Sequence, residues 1–517
     1  MADLKVQGGL PTALKWRQLE QVLPPWLRCA LADCVRRRGQ AVYLAGGAVR
    51  DLLLGFRPVD IDITVPVGAR WWAKELAAAI DGTCIILGRE EEAARVVRGE
   101  WGVDFSSFRQ GTRTIEEELT RRDLTINALA VRIDPLLVSS DAKAVPEQAV
   151  PILDPTGGLA DLAGQRIRIA APDSFSADSL RLLRVFRFAA TLAFTIDDHT
   201  LTLVRRQRRL LCTAAPERVA HELHLLIASP GSHATWRQMA STGLLEEIFP
   251  ELTAGLGVEQ PKSHHLDVFE HSLEALRQME RILRDPALFF PACTTAISAY
   301  LENKRNRLRL KWAALFHDLG KPKTRAVDVD RGSRITFYNH DRVGAELFRA
   351  IAHRLRWSRE DTEHVAKLIT WHMRPFHLAN VARDHQLTLR AAIRMIKRSG
   401  IELPGLFLLA MADALAGQGS ERIKEMEEEL IALFRHLEQV RFTHVEPVRS
   451  NPPLLTGKDL IDVLHLCPGP LFKRILTAVE EGRMEGSVRN YGDALRVAAK
   501  FAAGAVEPAT KERKSDA

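Results

Sequence analysis

Apolar positions recurring every three or four residues over 21–40 predict an amphipathic helix. A short apolar strand, 41–44, follows it and runs into Gly46-Gly47. Alternating apolar positions near 60–65, 83–87, 95–98 and 102–108 predict strands, and the spacing over 71–80 and 115–130 predicts helices between and after them. The first 165 residues therefore read as a mixed α/β head. From Ser174 onward the pattern is helical to the end, with Gly/Pro breaks near Pro216, Pro230, 250–257 and 447–453. These breaks predict a multidomain α+β chain. Its expected parts are an N-terminal extension (1–20), an α/β head (21–165), a helical neck (166–255), a helical middle domain (256–440), a C-terminal helical unit (441–505) and a polar, disordered tail (506–517).

The chemistry begins where the first strand ends. Leu44-Ala45-Gly46-Gly47-Ala48-Val49-Arg50-Asp51 sets two glycines between a strand and a helix. Backbone without Cβ atoms can approach a phosphate closely, and the helix start offers free N–H groups. Arg50 in the first turn adds a charge-assisted contact to the same anion. On its own, a tight turn explains such a pair of glycines better. The next strand changes that. In Val59-Asp60-Ile61-Asp62-Ile63 the period of two puts Asp60 and Asp62 on one face and Val59, Ile61 and Ile63 toward the core. Adjacent carboxylates repel unless a cation lies between them, and Mg²⁺ completed by phosphate oxygens is the natural occupant. A third acid, Asp104, lies between Val103 and Phe105 on a further strand. Three acids on neighbouring strands can hold two metals, one activating a hydroxyl and one steadying pyrophosphate.

Gly46-Gly47-x-x-Arg50-Asp51 followed by Asp60-x-Asp62 resembles the signature of the polymerase-β-like nucleotidyltransferase superfamily. Arg121-Arg122-Asp123-Leu124-Thr125-Ile126-Asn127-Ala128 resembles the second hallmark of one branch, the class II CCA-adding tRNA nucleotidyltransferases and bacterial poly(A) polymerases. Three further stretches resemble that branch in order: Asp154-Pro-Thr-Gly157-Gly158 with Asp161-Leu162, Asp178-x-x-Arg181-x-x-Arg184-x-x-Arg187-Phe188, and Glu217-Arg218 with Glu222-Leu223. The resemblance implies that Asp60, Asp62 and Asp104 are catalytic, with Asp60 and Asp62 holding Mg²⁺. It implies that Gly46, Gly47, Arg50, Arg121, Arg122, Asp123 and Asn127 hold sugar and phosphates. Asp178, Arg181, Arg184 and Arg187, spaced by threes on one expected helix stripe, would face the nucleotide, with Asp178 and Arg181 reading the base edge of CTP or ATP. Two departures bear on selectivity. Ala177 stands where the family usually has Glu, and only Gln110–Thr114 separates Arg109 from the helix carrying Arg121-Arg122. Such a short loop is similar to enzymes adding only CC or only A.

The middle of the chain carries a second constellation. His271, His317-Asp318 and Asp413, on separate expected helices, resemble the HD phosphohydrolase superfamily, and His340 and His372 are available beside them. Gly320 is expected to cap the helix ending at Leu319. Imidazole and carboxylate ligands suit Mn, Ni, Fe or Mg, and such a site would polarise a phosphoryl group and generate hydroxide. In many relatives such a domain chiefly binds RNA or joins two subunits, so a homodimer is a further expectation. Leu455-Thr-Gly457-Lys458-Asp459 and Pro468-Gly469-Pro470 resemble the closing unit of HD-containing members, with Lys458, Lys473 and Arg474 free for phosphates.

Composition adds little: 46% hydrophobic and 26% charged residues over 517 are those of an ordinary globular chain. The net charge of +7 hints at a polyanionic partner, and basic residues cluster at 36–38, 205–209 and 304–311. Six cysteines without a C-x-x-C pair argue against zinc–thiolate or disulfide frameworks and fit a reducing cytoplasm. No apolar run is read as long enough to span a bilayer, and 1–9 lack a signal peptide's apolar core. The expected activity is addition of CMP and AMP to a tRNA 3′ end. Its alternatives are a CC-only or A-only enzyme, a poly(A) polymerase, an HD phosphohydrolase acting on RNA ends, and a non-catalytic RNA-binding protein.

Overall fold

A computed structural model describes residues 10–506 except 59, 88–91, 139–147, 262, 330–333 and 422, and omits the side chains of 292 and 504–506. Val59 and the tail from Glu507 thus lie outside the described residues. The chain divides into two compact units at Thr253/Ala254, with Arg354–Arg356 counted in the first.

The first unit is built on an eight-stranded sheet: β1 (Ala13–Lys15), β2 (Tyr43–Ala45), β3 (Asp60–Val65), β4 (Thr83–Leu87), β5 (Ala93–Arg98), β6 (Trp101–Ser107), β7 (Ala130–Arg132) and β8 (Ala149–Leu153). Their order across the sheet is β1-β8-β7-β2-β3-β6-β5-β4. The stretch read as an N-terminal extension therefore supplies an edge strand, because β1 pairs antiparallel with β8. Within this sheet, among the described residues, β3 and β6 are the one parallel pair, and their register sets Asp62 opposite Asp104. Ile61, Ile63, Val103 and Phe105 alternate with those acids and are at most 1% exposed, and helix Ala69–Ile80 packs against β5 and β6. Burial of these apolar faces fixes which side of the sheet the acids occupy.

Two expectations fail here for local reasons. The helix predicted over 115–130 stops at Thr120, and a 3-10 turn (Thr125–Asn127) and then β7 follow. Leu124, Ile126 and Ala128–Val131 are fully buried, so the continuous apolar run reflects burial on all sides, not helical period. The helical remainder also contains short strands, Arg166–Ile167 with Thr195–Ile196 and Ala326–Asp328 with Arg334–Thr336.

The neck helix Arg181–Leu192 begins after Asp178, whose backbone is extended (φ −151°, ψ 107°). Asp178 therefore does not share a helix stripe with Arg181, Arg184 and Arg187. Its Oδ1 instead accepts the N–H of Leu180 at the helix entrance, which suits a short carboxylate better than a helix interior does.

The second unit is helical. Helices Val268–Arg284, Lys304–Phe316, His340–Arg354, Arg359–Trp371 and Leu403–Ala416 surround the histidines, and a smaller core around Leu455, Leu460, Ile475 and Val479 closes the C-terminal end. The helical stretch Leu389–Ala416 corrects the reading that no apolar run reaches membrane-spanning length. It meets that length and hydropathy, and its most apolar window is 78% buried inside the unit. Gly320 is not a left-handed cap: its φ is −81°. It is glycine because any Cβ would collide with the backbone carbonyl of His340. That close approach brings His317-Asp318 up against the helix beginning at His340.

Candidate functional site

Gly46, at φ 70°, ends β2 and turns the chain into helix Gly47–Leu53. A Cβ there would clash with Arg122 and lie 2.9 Å from Asp62 Oδ2, so the glycine serves close approach as well as the turn. Gly47 donates its N–H to Asp62. Asp60, Asp62 and Asp104 open onto one cavity of about 560 Å³. Of the expected catalytic and nucleotide-binding residues of head and neck, all but Gly46 and Arg121 line that cavity. Arg121 turns away and donates to the Gln110 carbonyl (2.8 Å), whereas Arg122 lies beside Asp62 and donates to Thr64 Oγ1 (3.1 Å).

Burial pushes the Asp62 carboxyl above its ordinary pKa. The Arg122 charge opposes that rise, and the neighbouring Asp104 and Asp60 charges add to it. A half-buried carboxylate held near two like charges is a site that gains from a cation, which is the sense in which these residues fit divalent metal. The three acids are not gathered tightly. Among the described residues, two sets of three ligand groups have their donor atoms within 4.8 Å of one another, and neither includes a head acid. Arg95 bonds two of them: its Nε and Nη2 each bond Asp104 at 2.7 Å, and Nη2 reaches Asp60 Oδ1 at 3.1 Å.

An ordered polar network forms the rest of the cavity. Asp123 accepts from Leu124 N–H, Asn127 Nδ2 and Arg184 Nε (2.7 Å), while Asn127 Oδ1 accepts from Arg50 Nη1 (2.6 Å). Glu222 pairs with Arg187 (2.5 Å) and Arg184 (3.5 Å). The guanidinium groups of Arg50, Arg184 and Arg187 all lie over the Phe188 ring, at 5.0, 5.4 and 3.8 Å. Burial disfavours the charged Asp123 carboxylate, but Arg184, Asn127 and the Leu124 N–H outweigh it and hold its pKa well below the carboxylate range.

Asp178 and Arg181 both line the cavity, each bonded to other partners. Arg181, 9% exposed, donates to the carbonyls of Arg121 (2.9 Å) and Arg122 (3.3 Å) and to Ser174 Oγ (2.9 Å). Asp178 takes Arg218 Nη2 at 3.0 Å. The short 110–114 loop is pinned, since the buried Glu118 accepts from both the backbone and side chain of Arg109.

In the second unit, His271, His317 and Asp413 form one compact ligand set and Asp318, His340 and His372 another, all buried. Asp318 stands between them: Oδ2 is 3.2 Å from His317 Nε2 and Oδ1 is 3.5 Å from His340 Nε2. The Nδ1 atoms of His317, His340 and His372 face the carbonyls of Ala314, Phe337 and Ile369 at 2.7–2.9 Å. A carbonyl only accepts, so each Nδ1 carries the proton and each Nε2 turns inward as a ligand atom. Nε2 of His340 and His372 approach to 3.2 Å. Burial, reinforced by His340 and His317, pushes His372 down to about 3, and His340 is also lowered. Two neutral lone pairs facing each other at that distance repel, so this donor set fits a cation between them. Burial opposes the cationic form of His317 too, but Asp318 and Asp413 carry it up to about 10.

Sequence reasoning missed Arg95, Glu222 as a ligand of the arginines, and the Phe188 platform. For Arg95 a signal existed, a charged residue on the polar phase of the alternating β5. Residues pairing across strands are otherwise invisible in linear order.

The chain matches family models described as a poly A polymerase head domain (residues 42–168), a probable RNA and SrmB-binding site of polymerase A (193–256) and an HD domain (268–416). It is 36% identical over 450 residues to an A-adding tRNA nucleotidyltransferase of Deinococcus radiodurans, covering 86% of this chain and 92% of that one. It is 32% identical to a CC-adding tRNA nucleotidyltransferase of Thermus thermophilus, covering 86% and 90%. Its fold is similar to that of a Thermotoga maritima CCA-adding enzyme complexed with tRNA (TM-score 0.58, 20% identity, covering 96% and 100%).

Proposed function

The chain belongs to the tRNA nucleotidyltransferase family, and on that premise we propose that it adds CMP, AMP or both to the 3′ end of tRNA from CTP and ATP. The observation that carries the reading is a single cavity in which three acids from adjacent strands meet the arginines of the neck helix. Asp60, Asp62 and Asp104 are the groups that would hold Mg²⁺. When bound there, the metal supplies an activated 3′-hydroxyl and a stabilised pyrophosphate. Gly47, Arg50, Arg122 and Asn127 bind the triphosphate, while Arg184 and Arg187, stacked on Phe188, face the nucleotide. The division into head, neck, HD and C-terminal parts assigns chemistry, nucleotide choice, a second metal centre and RNA contact to successive segments. A cytoplasmic location and self-association belong to the same reading, and sedimentation of the full chain decides the latter.

Addition of the full CCA is the leading form of this reading, with CC-only and A-only addition beside it. The A-adding and CC-adding relatives and the pinned 110–114 loop support those narrower forms. Purified protein given labelled CTP or ATP and tRNAs ending before the first C, after CC, and after one C distinguishes them by product length. A ladder of many adenylates on generic RNA would point to poly(A) synthesis, and no extension of any tRNA would end the reading.

A second activity is favoured by the Asp318 carboxylate lying between two ligand sets. We read the HD unit as a two-cation phosphohydrolase centre for RNA ends, taking Mn, Ni, Fe or Mg. His271→Ala and His372→Ala, each removing a ligand of one set, are expected to lower bound transition metal by about half relative to the native chain. Elemental analysis of desalted protein measures this, and native metal content in both variants would rule the centre out.

A further inference from the structure

The acids of the head carry their own counter-ion. Arg95 on β5 is directly opposite Asp104 on β6, and Asp104 is in register with Asp62 on β3. Directly paired residues on neighbouring strands share a face, so Asp62, Asp104 and Arg95 make a row across three strands. The guanidinium fork bonds both oxygens of Asp104 and extends to Asp60. That reach needs a gap in β6, which Gly102 supplies. Gly102 is paired with Asp60, and a Cβ on it would sit 3.1 Å from Asp60 Oδ1 and 4.0 Å from Arg95 Cζ. A side chain at 102 would stand between the arginine and the acid.

A carboxylate bonded at both oxygens by one guanidinium has its strongest acceptor directions occupied. A fixed positive charge in contact with two of the acids also opposes entry of a second cation. Resting on the reading that these acids hold metal, we infer that Arg95 competes with divalent cations for Asp104 and Asp60. Its withdrawal accompanies metal loading, and it sets the metal concentration the head requires. The plain alternative is an ion pair that staples β5 to β6. Losing a staple lowers stability and leaves metal affinity unchanged or weaker, whereas losing a competitor tightens metal binding. The two roles move affinity differently.

The test is Mn²⁺ titration of the full chain followed by electron paramagnetic resonance. The head signal is the Mn²⁺ bound by the native chain and absent from Asp62→Asn, which separates it from metal in the HD unit. In Arg95→Met that signal is expected to saturate at about tenfold lower Mn²⁺, a factor moderated by the half-exposed position. The Mg²⁺ needed for half-maximal nucleotide addition should fall in the same direction. Arg95→Gln, which keeps an N–H toward Asp104 without the charge, gives the same comparison if the methionine chain fails to fold. Head affinity equal to native, or weaker, overturns the inference alone. If Asp62→Asn loses no Mn²⁺ at all, the metal reading of the head falls and takes the inference with it.

Discussion

Asp62→Ala is expected to slow nucleotide addition at least about a thousandfold, equivalent to roughly 4 kcal/mol of barrier, without lowering the melting temperature. The two halves of this result come from one environment. Asp62 is half-buried beside Asp104 and Asp60, and its carboxyl is raised by desolvation, with Arg122 and the Gly47 N–H as its opposing contacts. A carboxyl raised in the folded state favours folding at acid pH, and that contribution is lost as pH rises through the folded value. At neutral pH its ionised form is therefore a cost to the fold, which alanine removes. Steady-state incorporation of labelled CTP and ATP, with a thermal melt of the same protein, measures both. Activity within about tenfold of native would show that Asp62 is not part of the reacting centre.

Asp123→Ala is expected to do the reverse and destabilise the first unit by about 3–5 kcal/mol, because it leaves the buried Leu124 N–H and Asn127 amide without their acceptor and Arg184 with only Glu222, at 3.5 Å, to pair it. Asp123 is 7% exposed and bonds Arg184, Asn127 and the Leu124 N–H. For a unit of this size the shift is roughly 6–20 °C in melting temperature. Its pH dependence also has a definite sign. A carboxylate held below its ordinary pKa contributes stability above the unfolded-state value, and loses it as pH falls through the folded one. The native unit should therefore lose stability steeply in acid, and Asp123→Ala should show a shallower acid limb. Asp123→Asn, which still accepts a hydrogen bond, should lie between the two. A variant melting within about 2 °C of native would mean that the network carries little of the fold.

The contrast between the two aspartates shows how far type and spacing go. Both were marked by sequence as site residues, and both line the same cavity. Only three dimensions distinguish an acid held near like charges from one saturated by donors. The same applies to the neck. The spacing of three that grouped Asp178 with Arg181 would hold on a continuous helix, but the helix starts at Arg181, and each residue found another partner.

What the sequence determined by itself is the part governed by local period where an element has one buried and one open face. The alternation that buries Ile61 and Ile63 puts Asp60 and Asp62 on one face, and the paired glycines specify a turn that side chains would block. The order of motifs pointed to the family and to the candidate ligands of the HD unit. What only the tertiary structure decided is which distant groups meet: Asp104 against Asp62 through parallel register, Arg95 across both acids, His340 and His372 around Asp318. Register between strands and packing between helices come from burial summed over the whole unit, and no short window of residues contains that sum.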